Sequence, residues 1–335
     1  GRNLRSALLV SGILLSFAVS GCSSAYERSD KPAGDWSRGL LLGESNVKQA
    51  VTLQSDPSGH AHLVWIESLS DNTQGLGYAE IDRRGRVVID TSLTPGLPYP
   101  RDPQLLVAAD GTFHLALLSR RDDHQVLYHA RLGDKGELST LTPLSRSNED
   151  VESFQLMQSS AGEVQVIWAS ELDDGQSGIY QSSLPRSDGR EPVLLVPDGA
   201  DPFVLVEDDI SESGATIHMV WTNRSNFSTR RIYYSTLENG ELTPPGGQHV
   251  TTFDYADSAT YQPPIIGLDS ELVYITWSVQ NLGGGMTPTA ADTYYISFAP
   301  GQARYTDAET LKLPADHRPE YADHRGYYGI SKLAF

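Results

Sequence analysis

Carboxylates, guanidinium groups and aromatic rings gather in a few polar stretches of this chain. The acids are Glu67, Asp71, Asp122, Asp123, Glu171, Asp173 and Asp174. Arg120, Arg121, Arg224 and Arg230 lie among them, with Tyr99, Phe227, Phe253, Tyr255 and Tyr261. Paired carboxylates flanking a bond would serve glycoside chemistry. The same acids would hold Ca²⁺ through side-chain and backbone oxygens, or would simply be solvated. Aromatic residues beside polar ones suit a sugar or a protein partner. His62, His114 and His218 suggest a metal, but Gln165 and Tyr274 occupy the same repeat position. A position that accepts His, Gln and Tyr reads as a hydrogen-bonding site between strands, so no metal centre and no obligatory cofactor is expected. Gly283-Gly284-Gly285 is followed by Met286 rather than a lysine, which excludes a phosphate loop. Neither a Gly-x-Ser-x-Gly elbow nor a His-Glu-x-x-His motif occurs.

The elements that must carry these residues repeat. Gly59-His60-Ala61-His62-Leu63-Val64-Trp65 returns as Gly111 to Leu117, Gly162 to Trp168, Gly214 to Trp221 and, without its glycine, Ser270 to Trp277. The steps from Trp65 through Leu117, Trp168 and Trp221 to Trp277 are 51 to 56 residues. A period of this size marks a solenoid, a propeller or an array. Each unit holds four short apolar runs separated by turn residues, which read as strands joined in hairpins. The second strand alternates strictly. Leu63 and Trp65, Leu115 and Leu117, Val166 and Trp168, Met219 and Trp221, and Ile275 and Trp277 share one face. The third strand repeats a Tyr with an apolar residue four positions on, at Tyr128, Tyr180, Tyr233 and Tyr294, with Tyr78 fitting more loosely.

Four antiparallel strands about every 50 residues predict an all-β fold, a β-propeller of four-stranded blades. Five units are visible, near 48–100, 101–150, 151–200, 201–259 and 260–312, within a domain over 39–335. Five blades are expected; a sixth blade shared between Gly39–Leu42 and Tyr327–Phe335 is the alternative. Hairpin order assigns the turns to two faces. Pro57-Ser58-Gly59, Arg83-Arg84-Gly85, Asp110-Gly111 and Glu238-Asn239-Gly240 are short and share one face. Longer connections share the other, among them Glu67 to Gly75, Ser119 to Gln125, Ser170 to Ser177 and Thr222 to Arg230. The acids, arginines and aromatics of the opening paragraph fall on that long-loop face, the expected binding face.

Net charge is −18, so the surface repels phosphate backbones and nucleic acid is not an expected partner. A single cysteine, Cys22, excludes an intrachain disulfide and a Cys-rich metal site. Arg2 and Arg5 precede an apolar run from Ala7 to Val19 with the length of a signal-peptide core. Val19-Ser20-Gly21-Cys22 resembles the lipobox of bacterial lipoproteins. That resemblance implies a signal at 1–22, lipidation of Cys22 and attachment to a membrane of the cell envelope, on its periplasmic or extracellular side. Residues 23–38 read as a flexible tether.

From about Gly39 to Phe335 the chain resembles bacterial extracytoplasmic propellers of the sialidase-like, BNR-type kind. Their Asp-box, Ser-x-Asp-x-Gly-x-Thr-Trp, is altered here: Ser55 and Asp56 are adjacent, and Trp65 falls six residues past Gly59. The resemblance is therefore one of architecture and implies no catalytic residues. The expectation is a membrane-anchored propeller acting as a binding or scaffold module, docked on a membrane protein complex or holding a glycan. The alternative is a carbohydrate-active hydrolase of propeller fold.

Overall fold

The computed structural model describes residues 41–42, 51–69, 73–93, 96–133, 135–159, 161–185, 191–207, 216–223, 229–254, 259–269, 271–282, 288–301 and 309–310. The lipobox with Cys22, the tether and the expected strand over 327–335 lie outside them. The described strands belong to the compact unit Ser45–Phe335. Among the described residues no helix is long and apolar enough to cross a membrane.

The described strands form five four-stranded antiparallel sheets, the blades of a β-propeller. Blade 1 holds β1 (Thr52–Ser55), β2 (Ala61–Ser68), β3 (Gln74–Ile81) and β4 (Val87–Leu93). Blade 2 holds β5 (Arg101–Val107), β6 (Phe113–Arg121), β7 (His124–Leu132) and β8 (Thr142–Pro143). Blade 3 holds β9 (Glu149–Gln158), β10 (Val164–Leu172), β11 (Ser177–Leu184) and β12 (Val193–Pro197). Blade 4 holds β13 (Gly199–Glu207), β14 (Thr216–Asn223), β15 (Thr229–Glu238) and β16 (Glu241–Asp254). Blade 5 holds β17 (Ala259–Leu268), β18 (Val273–Leu282), β19 (Pro288–Phe298) and β20 (Glu309–Thr310).

The repeat glycine closes the first hairpin of a blade. Gly59, Gly111 and Gly162 have φ of 77°, 82° and 80°, a left-handed conformation that a Cβ disfavours. Beside it, a side chain saturates the turn: Asp56 Oδ1 accepts from the His60 amide at 2.8 Å, and Asp110 Oδ1 from the Thr112 amide at 2.9 Å. Asp56 does this without the Asp-box spacing.

In blades 2 to 5 the period-two face of the second strand packs on the preceding blade. Leu115 and Leu117 join Val64, Ile66 and Tyr78 in one core. Val166 and Trp168 join Ala116 and Leu118; Met219 and Trp221 join Ile167 and Ile179; Ile275 and Trp277 join Val220 and Ile232. Every core is thus shared between two blades, and sheet stacking rather than any single sheet supplies the burial. Blade 1 has the same alternation, but Leu53, paired with Leu63, is 60% exposed.

The Trp and the Tyr signature meet by cross-strand pairing. Trp168 pairs with Tyr180, Trp221 with Tyr233 and Trp277 with Tyr294. The rings stack with centroids 6.0, 5.8 and 5.7 Å apart. Opposite Trp65 stands Gly77, where an added Cβ would lie 2.1 Å from the indole. Tyr78 is therefore one residue out of phase with the other signature tyrosines and faces the blade 1–blade 2 core.

Candidate functional site at the mouth of the first strands

The first strands are stitched side to side. Gln104 of β5 donates through Nε2 to Phe154 O of β9 at 2.7 Å and accepts from the Leu156 amide at 3.0 Å. This fixes the register of blades 2 and 3, and Asp102 and Glu152, each two residues upstream, enter at the same level. Tyr261 of β17 reaches β13 in the same way, its hydroxyl donating to Asp201 Oδ2 at 2.5 Å.

Near its start each of these strands carries a bulge. In blade 2, Asp102-Pro103 oppose Leu117; in blade 4, Asp201-Pro202 oppose Trp221; in blade 5, Pro263-Pro264 oppose Trp277. In blade 3 the extra residue is Glu152. Bulges re-aim side chains and gather beside functional sites. Asp102 and Asp201 also have left-handed φ of 48° and 52°, an unfavourable state for a residue with a Cβ. These starts lie at the same end of the blades as the connections between second and third strands, the long-loop face.

Their surroundings differ. Asp201 is half-buried, and its Oδ2 also accepts from Thr222 Oγ1 at 2.7 Å. Burial and the adjacent Asp201 hold the Tyr261 hydroxyl far above the usual phenol range, so it remains a donor. Arg230 stacks on the Tyr261 ring at 5.5 Å and donates to its hydroxyl at 3.3 Å. Asp102 has Leu118 where Asp201 has Thr222. Asp102 is the more exposed of the two, its side chain 46% accessible, yet the protein crowding it on its other side pushes the carboxyl up, and Arg101, 3.8 Å away, offsets part of that shift.

Behind this mouth, Glu149 at the head of β9 is fully buried. Its Oε2 accepts from Trp168 Nε1 and from the Arg146 amide, both at 3.2 Å. The Arg146 guanidinium lies 3.6 Å from Oε1 and over the Tyr180 ring. This cluster fastens the connection entering blade 3.

The structure separates most of the residues expected on the binding face. Glu67 accepts from Ser92 Oγ within blade 1. Tyr99 is 67% exposed in the link before β5. The expected loop over Ser119–Gln125 is instead strand as far as Arg121 and again from His124, with Asp122-Asp123 as a two-residue turn. Pairing continues because Asp122 adopts a φ of 55°, which a tight hairpin needs. Ser170–Ser177 is likewise mostly strand around an Asp173-Asp174-Gly175 turn. The two tips touch through His124 Nε2 and Asp173 Oδ1 at 3.4 Å. Arg120 pairs with Asp123 at 3.6 Å; Arg121 and Glu171 are exposed. Asp71, Arg224, Phe227 and Tyr255 lie outside the described residues. Of the described residues singled out, Tyr261 and Arg230 reach the mouth, with Phe253 edge-on to the Tyr261 ring at 5.6 Å. Asp102, Glu152 and Asp201 close connections expected on this face, Thr94 to Asp102, Ser145 to Glu152 and Pro197 to Asp201, but were not among the residues singled out. The available signal was the Asp-Pro pair recurring at the same repeat phase, at 102–103 and 201–202.

The repeat-position histidines do bond between strands. His62 Nδ1 meets Tyr78 Oη at 2.9 Å, His114 Nδ1 meets His129 Nε2 at 3.0 Å, and His218 Nδ1 meets Tyr234 Oη at 2.7 Å. Gln165 accepts from Gln181 at 2.6 Å. Among the described residues no three His, Cys, Asp or Glu side chains are grouped to hold a metal ion.

No family model matches the chain, and no curated protein does. Solved structures do share its general fold. A thermostable family-43 glycoside hydrolase is 12% identical over 79% of this chain and 94% of its own, with a TM-score of 0.46. The α-L-arabinofuranosidase ARB93A from Fusarium graminearum is 13% identical over 76% and 78%, with a TM-score of 0.46. The Hadza microbial sialidase Hz136 is 12% identical over 79% and 59%, with a TM-score of 0.43. Likeness at this level assigns no activity; the reading of function rests on the mouth itself.

Proposed function

We propose that this chain is a carbohydrate-active propeller of the cell envelope, tethered through a lipidated Cys22, which binds a glycan across the mouth of its first strands and cleaves it. The observation that carries the reading is the pair of Asp-Pro bulges. They hold Asp102 and Asp201 at the same end of the propeller in unequal surroundings. Glycoside hydrolysis needs one carboxyl that keeps its proton and one carboxylate that does not give way. Asp102, pushed up by desolvation, supplies the proton to the glycosidic oxygen as its bond to the anomeric carbon breaks. Asp201, held by Tyr261 and Thr222, takes a proton from the water that adds to that carbon. Glu152, the bulged residue of the neighbouring blade, positions sugar hydroxyls.

The test is hydrolysis of a panel of neutral oligosaccharides by the whole protein, followed by chromatography, with binding measured by calorimetry in parallel. Release of sugar by the wild type, lost in Asp102→Asn and in Asp201→Asn with binding retained, supports the reading. Binding that persists while no substrate is cleaved reduces it to a lectin-like module.

A second reading, an accessory subunit of a membrane complex, draws on the outer strand β12, where Val193 and Leu194 are 58% and 50% exposed. It predicts a stoichiometric partner on mild detergent extraction, lost when both residues are changed to Ser.

A further inference from the structure

We infer that the glycan held at the mouth is uncharged, and that uronates and sialylated chains are rejected electrostatically. This deepens the carbohydrate reading and rests on it. The argument is one of charge pairing. A site for an acidic sugar keeps a guanidinium free to meet the carboxylate as a bidentate donor. Here the arginines attached to the first strands are already engaged. Arg101 faces Asp102 at 3.8 Å. Arg146 is shared between buried Glu149 and Glu191, at 3.6 and 3.3 Å, and stacks on Tyr180. Arg230 is committed to the ring and hydroxyl of Tyr261.

The three remaining described arginines on this face, Arg120, Arg121 and Arg231, belong to second and third strands, and Arg120 is paired with Asp123 at 3.6 Å. Arg121 is exposed at the β6–β7 hairpin tip, next to Asp122 and Asp123. Arg231 is exposed on β15 and paired with Thr252 of the outermost strand. Against them stand Asp150, Glu152 and Asp201, all on first strands, with Asp102 holding its proton. Asp150 accepts the Gln125 amide at 2.7 Å, and Glu152 is exposed. Among the described residues, Asp150, Glu152, Asp201, Glu149 and Glu191 outnumber Arg101, Arg146 and Arg230, so the mouth carries an excess of negative charge, in a chain whose net charge is −18. Such a field repels an approaching carboxylate and leaves hydroxyl recognition intact, because carboxylates accept hydrogen bonds from sugar hydroxyls.

The experiment compares matched ligands on the full chain by calorimetry. Xylo- and arabino-oligosaccharides are set against oligogalacturonates of the same length, and lactose against sialyllactose, at about 20 and about 300 mM salt. Neutral ligands are expected to bind at least about tenfold more tightly at low salt, and the gap is expected to narrow at high salt as screening grows. Asp150→Asn is expected to weaken the discrimination without abolishing neutral binding. Tighter binding of the uronate or sialyl ligand overturns the inference while leaving the carbohydrate reading standing. Failure of all of these sugars to bind overturns the carbohydrate reading and the inference with it.

Discussion

Asp102-Pro103 and Asp201-Pro202 are the same device built twice, two blades apart. Both aspartates hold a left-handed φ, both precede proline, and both occupy a bulge opposite the repeat's large apolar residue. What differs is one second-strand position. Thr222 gives Asp201 a hydroxyl, whereas the aligned position in blade 2 is Leu118. Blade 5 adds Tyr261 on the Asp201 side. The backbone thus presents two equivalent carboxyls and the neighbours make them unlike, which is the condition for dividing acid and base work.

The comparison breaks most completely if either carboxyl is removed. Asp102→Asn and Asp201→Asn are each expected to lower kcat about 10² to 10⁴-fold, the usual weight of a general acid or base. Steady-state assays on the substrate found by panel screening check this. Tyr261→Phe should cost about tenfold in kcat, the scale of one hydrogen bond to a charged group, with KM nearly unchanged. Equal losses of affinity and turnover would show that Tyr261 binds sugar rather than orienting Asp201.

Making the two surroundings alike sharpens the comparison. Leu118→Thr would supply Asp102 with the donor Asp201 enjoys, and the alkaline limb of the pH–rate profile should move to lower pH. The folded protein should lose roughly 1–3 kcal/mol in urea unfolding, because a hydroxyl enters a buried apolar position. The smallest effect is a linkage. A carboxyl whose folded pKa is raised binds more protons folded than unfolded, so its contribution to stability falls as pH rises through the window above 3.8. Asp102→Asn should therefore melt slightly higher than wild type at neutral pH and match it below that window.

How much of this was legible follows from the range of the interactions. The glycine turn and the Trp face are local patterns, and they fixed the blade and its packing side. The hydrogen-bonding role of His62, His114 and His218 was readable because Gln165 fills the same position and makes the same kind of bond. Tyr78 fitted loosely because Gly77 occupies its phase beneath Trp65. The mouth was not singled out because acidic residues were sought in long connections, and Asp122 and Asp173 sit at hairpin tips. Asp102 and Asp201 lie within strands, where alternation hides them. Only the pairing register shows that each shares a bulge with its proline, and only contact between distant blades brings Tyr261 to Asp201.

The cores shared between neighbouring blades carry a consequence for how the molecule opens. Among the described residues, blades 2, 3 and 4 each lend both faces to such cores, while blades 1 and 5 each contribute to one and blade 1 leaves Leu53 largely bare. Stability is therefore graded along the chain rather than uniform, and the lowest-energy excursion from the native state should be fraying of blade 1. In amide hydrogen exchange, β1 would lose protection first while β10 and β14 stay locked. A protease admitted by that excursion would nick the chain near its beginning and release a four-blade remnant that is still folded.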